Sequence, residues 1–332
     1  GGTNITVIGA GFDAAPVDAN FVCRFGGADG MHTKGHFVSA TRVRCTTPAH
    51  AAGPVAVDVS MNGGLDFTDD GIGFTYHAPV RMKSFFPQSG PVDGGTVIQI
   101  IGFRFYRSAG IRCRFGNAET VVAEYVNSSL IQCTSPQHAP ASLTLFLTMN
   151  GVDFMVAEEN VQTYSYYPLL AVASALPLRI MTSGGTMVAV RGVNFLFSPE
   201  LSCLFGSTAV KATFYNASLI GCRSPPGESG RQVLLEVANN GVDFAASGIL
   251  LSYGTIPTVS SVSPQRVSRG MSSRITIKGA GFMPGSTWCR FGNQTVQASA
   301  ENSVVATCGV LAFTSSMHGF YPVRVSTNGI DF

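Results

Sequence analysis

Short runs in which hydrophobic and polar residues alternate recur along the whole chain, bounded by glycine, proline or asparagine. In one of them, residues 97–101 follow Gly94-Gly95-Thr96 and end at Gly102. Runs of roughly five to seven residues that are rich in Val, Ile, Thr and Phe are typical of β-strands. No segment with the length of a helix shows helical periodicity. The pattern therefore predicts an all-β protein.

Recurring landmarks divide the chain into four tandem repeats. Each repeat has a first cysteine followed by Phe-Gly, a second cysteine, and a closing Asn-Gly-x-Asp-Phe signature, at residues 62–67 (one residue longer), 150–154, 240–244 and 328–332. The predicted domains are residues 1–79, 80–168, 169–256 and 257–332. Repeat 1 begins mid-repeat and repeat 4 ends mid-repeat, so we expect the first to lack its N-terminal strand, the last its C-terminal strand, and the sequence to come from a longer chain.

The size and strand content of each repeat predict an immunoglobulin-like β-sandwich. Roughly seven short strands and one cysteine pair between sheets fit that architecture. In the second repeat the predicted strands are residues 95–101, 110–115, 129–134, 142–148 and 161–166. The chain has a single tryptophan, Trp288, so the repeats are not antibody-type domains. Proline, without a Gly/Ser spacer, separates one repeat from the next, which favours a semi-rigid rod of domains.

The eight cysteines occur as two per repeat, which predicts four disulfides within repeats. The pairs are Cys23 with Cys45, Cys113 with Cys133, Cys203 with Cys222, and Cys289 with Cys308. Each closes a loop of about 20 residues, which stabilises a domain by roughly 3 kcal/mol in the chain-entropy model. Buried thiols are one alternative, and a metal site is a weaker one because no Cys-x-x-Cys occurs. Disulfides indicate an extracellular or cell-surface chain.

Four Asn-x-Ser/Thr sequons agree with a secreted protein and predict N-linked glycans at Asn4, Asn127, Asn216 and Asn293. Asn127 and Asn216 both lie six residues before the second cysteine of their repeats. Asn302 has the same position in repeat 4, but Val304 breaks the sequon. No apolar run is long enough to span a membrane.

The charge of the chain is low and evenly spread. There are 21 Lys and Arg against 19 Asp and Glu, and charged residues make up 12% of the chain, about half of the usual fraction. Because the cations are not clustered, a nucleic-acid partner is not expected. With 45% hydrophobic residues, the surface is expected to be covered by glycans or by neighbouring subunits.

The landmarks resemble those of tandem IPT/TIG domains: Pro-x-x-Gly-Gly-Thr, Gly-x-x-Phe, Cys-x-Phe-Gly, Cys-x-x-Pro and Asn-Gly-x-Asp-Phe. These are immunoglobulin-like modules of plexins, scatter-factor-type receptors and fibrocystin-like surface proteins. Repeat 4 departs from the pattern, with Gly270-Met271-Ser272 in place of Gly-Gly-Thr and Gly309-Val310 after Cys308. The resemblance implies spacers and interaction surfaces.

Motifs that would carry catalysis are missing from the sequence, and no cofactor is expected. His32 and His36 could bind a metal at i, i+4 only if their segment were helical. Gly30 and Gly35 argue against a helix, so the two histidines are interpreted as part of an exposed loop. The closing aspartates Asp66, Asp153, Asp243 and Asp331 could bind calcium, but each stands alone in its repeat. They are better interpreted as turn residues that hydrogen-bond their own backbone. Arg24, Arg114 and Arg290 beside the cysteines are interpreted as a solvated face.

The preferred functional hypothesis from these observations is a non-catalytic structural protein, a building block of an extracellular filament or surface sheath. Its partners would be further copies of itself or other extracellular structural proteins. The alternative is a spacer or ligand-binding ectodomain of a cell-surface receptor or adhesin. A carbohydrate-binding appendage of a secreted glycosidase is a third hypothesis, weakened by the single tryptophan.

Overall fold

A computed structural model describes residues 1–12, 20–157, 162–268, 271–310 and 321–332. Within these ranges the chain forms β-strands, turns and irregular segments and no α-helix. The prediction of an all-β protein is therefore confirmed. Of the residues singled out in the sequence, Val161 and Gly270 lie outside the described ranges.

The first repeat illustrates the architecture. Its strands are β1 (Asn4–Ile8), β2 (Val22–Phe25), β3 (Met31–Ser39), β4 (Arg42–Thr46), β5 (Gly53–Ser60) and β6 (Gly73–Tyr76). They are hydrogen-bonded in the order β1-β4-β3-β2-β5-β6. The first half of β3 pairs with β2 and the second half with β4, so β3 connects the two sides of the core.

Repeat 2 has the same plan with additional strands at its start and end. The strands are β7 (Arg81–Phe86), β8 (Ser89–Pro91), β9 (Val97–Phe103), β10 (Arg112–Phe115), β11 (Thr120–Asn127), β12 (Leu130–Thr134), β13 (Ala141–Thr148), β14 (Phe154–Met155) and β15 (Thr163–Tyr167). Their order is β7-β9-β12-β11-β10-β13-β15-β8, with β14 on β13. Strand β11 connects the two sides as β3 does.

Repeats 3 and 4 continue the series. Repeat 3 contains β16 (Ala171–Leu176), β17 (Arg179–Met181), β18 (Met187–Val193), β19 (Ser202–Phe205), β20 (Thr208–Asn216), β21 (Leu219–Arg223), β22 (Gln232–Ala238) and β23 (Ala245–Gly254). Repeat 4 contains β24 (Thr258–Ser263), β25 (Ser273–Ala280), β26 (Trp288–Phe291), β27 (Gln294–Ala300), β28 (Val305–Val310) and β29 (Val323–Ser326). Their orders are β16-β18-β21-β20-β19-β22-β23-β17 and β24-β25-β28-β27-β26-β29.

The cysteine pair occupies the centre of each core, and every cysteine is buried. The connecting strand places a small residue opposite the second cysteine of each repeat: Gly35, Ala123, Ala212 and Ala298. A Cβ on Gly35 would lie only 2.9 Å from Cβ of Phe21 and 3.2 Å from Sγ of Cys23. The small side chain leaves room for the two sulfurs.

The structure corrects the loop interpretation of His32 and His36, which lie on strand β3 with both side chains exposed. Gly35 suggested a loop, but it is required by the packing against the sulfur. In repeat 2 the strands β7 and β11 were also missing from the strands predicted by sequence. These two strands bury few side chains, so their hydrophobic alternation is weak.

The described residues group into two compact units. The first unit holds residues 1–88 and 93–166, and the second holds residues 89–92 and 167–332. The first unit thus contains repeat 1 and most of repeat 2, and the second unit contains repeats 3 and 4 together with residues 89–92 and 167–168 of repeat 2. In the part of the chain that is described, no helix has the length and apolar character of a membrane span.

Candidate functional site: the joint between consecutive repeats

The closing signature of repeat 2 is a turn built around the side chain of Asn150. Its Oδ1 accepts hydrogen bonds from the backbone N–H of Val152 (3.0 Å) and Asp153 (2.9 Å). The hydroxyl of Thr148 donates to the same Oδ1 at 3.1 Å and accepts from the backbone of Gly151 at 3.0 Å. Gly151 has a φ of 77°, a region that favours glycine. The signature therefore specifies one turn geometry.

The same turn closes the other repeats. Asn328 Oδ1 accepts from the backbone of Ile330 and Asp331 at 3.1 and 3.0 Å, and Asn240 Oδ1 accepts from Val242 and Asp243 at 3.1 and 2.9 Å. In repeat 1 Asp66 N–H donates to Asn62 Oδ1 at 3.0 Å. In all four the asparagine Nδ2 donates to the signature aspartate at 2.7–2.9 Å.

These contacts correct the interpretation of the four aspartates. The turn is capped by the asparagine, and the aspartate carboxylate accepts a hydrogen bond from the asparagine side chain. Among the described residues, no three His, Cys, Asp or Glu side chains gather closely enough to hold a metal ion.

In each unit the aspartate of one repeat also accepts a hydrogen bond from the repeat before it. Thr3 Oγ1 donates to Asp153 Oδ2 at 2.5 Å in the first unit. Thr186 Oγ1 donates to Asp331 Oδ2 at 2.5 Å in the second. Both threonines are the third residue of a Gly-Gly-Thr motif. We call the contacts around these two pairs the first joint and the second joint.

A second contact of the second joint comes from Asn328, whose Nδ2 donates to the backbone carbonyl of Arg179 at 3.1 Å. Asn240 donates in the same way to the carbonyl of Ser89 at 2.7 Å, and both of these residues belong to the second unit. The asparagine thus shapes its own turn through Oδ1 and reaches another strand through Nδ2. A single side chain serves both purposes.

The first joint has an aromatic contact in addition to its hydrogen bond. The ring of His77, in the linker after β6, stacks on Tyr106 with centroids 3.5 Å apart and planes at 7°. Burial raises the pKa of Tyr106, and the negative charge of Asp153 raises it further. The residues of this joint also line a cavity of about 210 Å³.

The phenylalanine that ends the signature packs under an arginine of the same repeat. The guanidinium carbon lies over the ring at 4.3 Å for Arg24 on Phe67, 4.2 Å for Arg114 on Phe154 and 3.8 Å for Arg290 on Phe332. Such contacts contribute about 0.5–1 kcal/mol at exposed sites and more when desolvated. The interpretation of these arginines as a solvated face was therefore wrong. Repeat 3 has Leu204 at this position.

The structure pairs each first cysteine with the second cysteine of its repeat. The Cα–Cα distances are 6.2 Å for Cys23–Cys45, 6.5 Å for Cys113–Cys133, 6.3 Å for Cys203–Cys222 and 6.4 Å for Cys289–Cys308. All four sequon asparagines, Asn4, Asn127, Asn216 and Asn293, are exposed. In two of them the sequon serine donates its hydroxyl to the asparagine, from Ser129 to Asn127 at 2.8 Å and from Ser218 to Asn216 at 2.9 Å.

Sequence reasoning missed the partners of the signature, namely the threonine of Gly-Gly-Thr and the arginine after the first cysteine. Both residues recur in the sequence. The threonine ends a Gly-Gly-Thr motif, and the arginine appears in three repeats and is replaced in repeat 3. A recurrence does not say which residues touch, however, and the threonine's partner lies roughly 150 positions away.

Comparison with known proteins agrees with this repeat architecture. The sequence profile of the IPT/TIG domain matches residues 1–76, 79–166, 170–253 and 257–332. Fibrocystin-L of Homo sapiens is 24% identical over 336 residues, covering 99% of this chain and 8% of that protein. Plexin-A3 of Rattus norvegicus is 26% identical over 209 residues, covering 60% of this chain and 11% of that protein.

Among solved structures, the chain was matched to the plexin A4 full extracellular region. The match has 16% identity and a TM-score of 0.37, and it covers 94% of this chain and 33% of that one. The chain spans a small part of each of these proteins.

Proposed function

We propose that this chain, which belongs to the IPT/TIG domain family, is a non-catalytic segment of the ectodomain of a cell-surface receptor or adhesin. Its repeats would act as a spacer that presents interaction surfaces to other extracellular proteins. Neither a nucleic-acid partner nor a cofactor is part of this proposal.

The proposal rests on the hydrogen bonds that the recurring polar residues make. Asn150, Asp153 and Thr3 hold a turn and join two repeats, and Asn328, Asp331 and Thr186 do the same. The polar side chains that recur in the sequence therefore hold turns and connect repeats. Such a chain is suited to holding repeats in succession, which is the requirement for a spacer.

The cysteines and the sequons support an extracellular location for the chain. Disulfides buried in the centre of every repeat persist in oxidising compartments. The exposed asparagines of the four sequons are accessible to glycosylation, and Asn127 and Asn216 end strands β11 and β20 at tight turns. N-linked glycans there would cover part of a surface with few charges.

The ectodomain hypothesis replaces the filament hypothesis that the sequence alone favoured. The relatives found by sequence are fibrocystin-L and plexin-A3, and neither name describes a filament or a sheath. Low charge and exposed apolar residues are observations that favour assembly into a filament. Glycans and partner proteins account for both features equally well.

The test is to secrete the full chain from animal cells behind a signal sequence. We expect a secreted protein with eight blocked thiols, a mass that falls on treatment with N-glycosidase, and a monomer in sedimentation equilibrium. Asn127→Gln and Asn216→Gln should each remove one glycan. Asn302→Gln is the matched control, because Asn302 has the equivalent position without a sequon.

Three results would contradict the proposal. Free thiols in the denatured, unreduced protein would remove the extracellular assignment. Concentration-dependent fibres of the glycosylated protein would restore the filament hypothesis. Hydrolysis of a substrate by the purified chain would show that the repeats are not merely structural.

A further inference from the structure

We propose that Asn240-Gly241 is a modification site, at which the asparagine deamidates faster than at the three other Asn-Gly pairs of the chain. The other pairs are Asn62-Gly63, Asn150-Gly151 and Asn328-Gly329. All four lie in the closing turn of a repeat. They differ in what holds the backbone N–H of the glycine.

Deamidation at Asn-Gly begins when the glycine's backbone nitrogen, having lost its proton to base, attacks Cγ of the asparagine. The new N–Cγ bond closes a succinimide ring, and the bond to the side-chain nitrogen breaks so that ammonia leaves. Water then opens the ring at either carbonyl, which yields aspartate or isoaspartate. Because glycine has no side chain to hinder the attack, the availability of its N–H controls the rate.

In three repeats an acceptor holds that N–H. Gly151 donates to Thr148 Oγ1 at 3.0 Å, and Gly329 donates to Ser326 Oγ at 3.0 Å. Gly63 donates to the backbone carbonyl of Asn20 at 2.9 Å. A hydrogen-bonded N–H is harder to deprotonate and is directed away from the side-chain carbon that it must attack. These three pairs are protected by their turns.

Repeat 3 lacks this protection because alanine replaces the hydroxyl-bearing residue two positions before the asparagine. That position is Thr148 in repeat 2, Ser326 in repeat 4 and Ala238 in repeat 3. Within the described ranges, the N–H of Gly241 makes no hydrogen bond, and Gly241 is only partly buried. The nitrogen of Gly241 is therefore not held by an acceptor, and the turn keeps the buried side chain of Asn240 beside it.

The change would alter the contacts that Asn240 makes. Its Nδ2 donates to Asp243 Oδ2 and to the carbonyl of Ser89, both at 2.7 Å. After deamidation a carboxylate replaces this donor and faces the carboxylate of Asp243. Two like charges at this distance repel each other, so the turn would loosen and its contact to Ser89 would be lost.

The experiment is to incubate the intact chain at mildly alkaline pH and to follow each Asn-Gly peptide by mass spectrometry. The net free energy of one hydrogen bond corresponds to a rate ratio of about three- to tenfold, so we expect Asn240 to react faster than Asn150 and Asn328 by that factor. Ser326→Ala should bring the rate at Asn328 towards that at Asn240. Ala238→Ser should slow the reaction at Asn240.

The control is the chain unfolded in guanidinium, in which the deamidation rates depend on the local sequence alone. The rates at the four Asn-Gly pairs should converge there. The proposal is overturned if Asn240 reacts no faster than Asn150 and Asn328 in the folded chain. It is also overturned if the order of the folded rates persists after unfolding. Unchanged modification at Asn328 in a folded Ser326→Ala variant would remove the role assigned to the hydroxyl.

Discussion

Each joint contains a hydrogen bond from a threonine to an aspartate, but the residues around that bond differ between the two joints. Thr3 donates to Asp153 in the first joint and Thr186 donates to Asp331 in the second. Thr3 is partly exposed, whereas Thr186 is fully buried and its hydroxyl also accepts from the backbone of Met181 at 3.1 Å. The same pair of residues is therefore expected to contribute more to stability in the second joint.

The residue that follows the last tyrosine of repeats 1 and 3 differs between the two joints. The first joint has His77, which stacks on Tyr106. The second unit has Gly254 at the equivalent position, and a Cβ there would collide with the guanidinium of Arg179. Burial lowers the pKa of Arg179. The same threonine–aspartate hydrogen bond is thus supported by different neighbours in different repeats.

The largest difference in stability between the two joints is expected when the aspartate of each joint is replaced by alanine. Asp331→Ala leaves the buried hydroxyl of Thr186 without its acceptor, which costs about 1–3 kcal/mol for an unsatisfied buried group. Asp153→Ala exposes Thr3 to water instead and should cost about 0.5–1.5 kcal/mol, the net value of an ordinary hydrogen bond. Urea unfolding followed by the fluorescence of Trp288 measures the first effect, and hydrogen exchange of the 148–155 peptide measures the second.

Asp331→Asn serves as the control for this pair, since the amide oxygen can still accept from Thr186. It should retain most of the stability that Asp331→Ala loses. Equal losses for Asp331→Ala and Asp153→Ala would contradict the ranking of the two joints by burial.

A smaller effect is expected from His77→Ala, which removes the ring stacked on Tyr106. Aromatic pairs contribute about 0.5–1.5 kcal/mol beyond the area that they bury. We expect this variant to increase hydrogen exchange in the first joint and to leave the fluorescence transition of Trp288 in repeat 4 unchanged. His77→Phe keeps a ring and should restore most of the protection. If the two variants behave alike, the stack does not support the joint.

The smallest effect is expected at alkaline pH. The raised pKa of Tyr106 means that the fold favours the neutral phenol over the phenolate. Its contribution to stability is therefore complete below the pKa of an unfolded tyrosine, about 10, and is lost as the pH rises through the folded value. Tyr106→Phe should flatten this alkaline decline when unfolding free energies are compared across that range.

Tyr253 in the second unit is the internal comparison for the alkaline measurement. Burial raises its pKa, and the positive charge of Arg231 opposes that increase. Its alkaline dependence should persist in the Tyr106→Phe variant. An unchanged alkaline decline in the first unit of Tyr106→Phe would show that another group is responsible.

The parts of this structure that were predictable from sequence are those in which residues recur at a fixed spacing. The all-β class and the family resemblance follow from the cysteines, the Phe-Gly pairs and the closing signature. The connecting strands were not predictable. Strand β11 buries only Ala123 among its eight residues, since it crosses between the two sides of the core, so it carries no clear alternation.

The candidate site was predictable only in its components. Asn150 and Asp153 were visible as a turn, and Arg114 was visible beside a cysteine, but their roles were misjudged. A sequence pattern shows that a residue is required without showing what it touches. Arg114 lies over Phe154, some 40 positions away, because strand β10 is paired with β13, which leads into the closing turn.

The sequence by itself determined the number of repeats and the strand-forming segments with strong alternation, and its unclustered cations are the reason that a nucleic-acid partner is not expected. These properties depend on local propensity and on spacing, which a linear chain displays directly. The tertiary structure alone decided that the threonine of one repeat meets the aspartate of the next, and that, among the residues the structure describes, Gly241 is the signature glycine whose N–H has no acceptor. The physical reason is that such contacts depend on distance and direction in space, which chain folding creates between residues that are far apart in sequence.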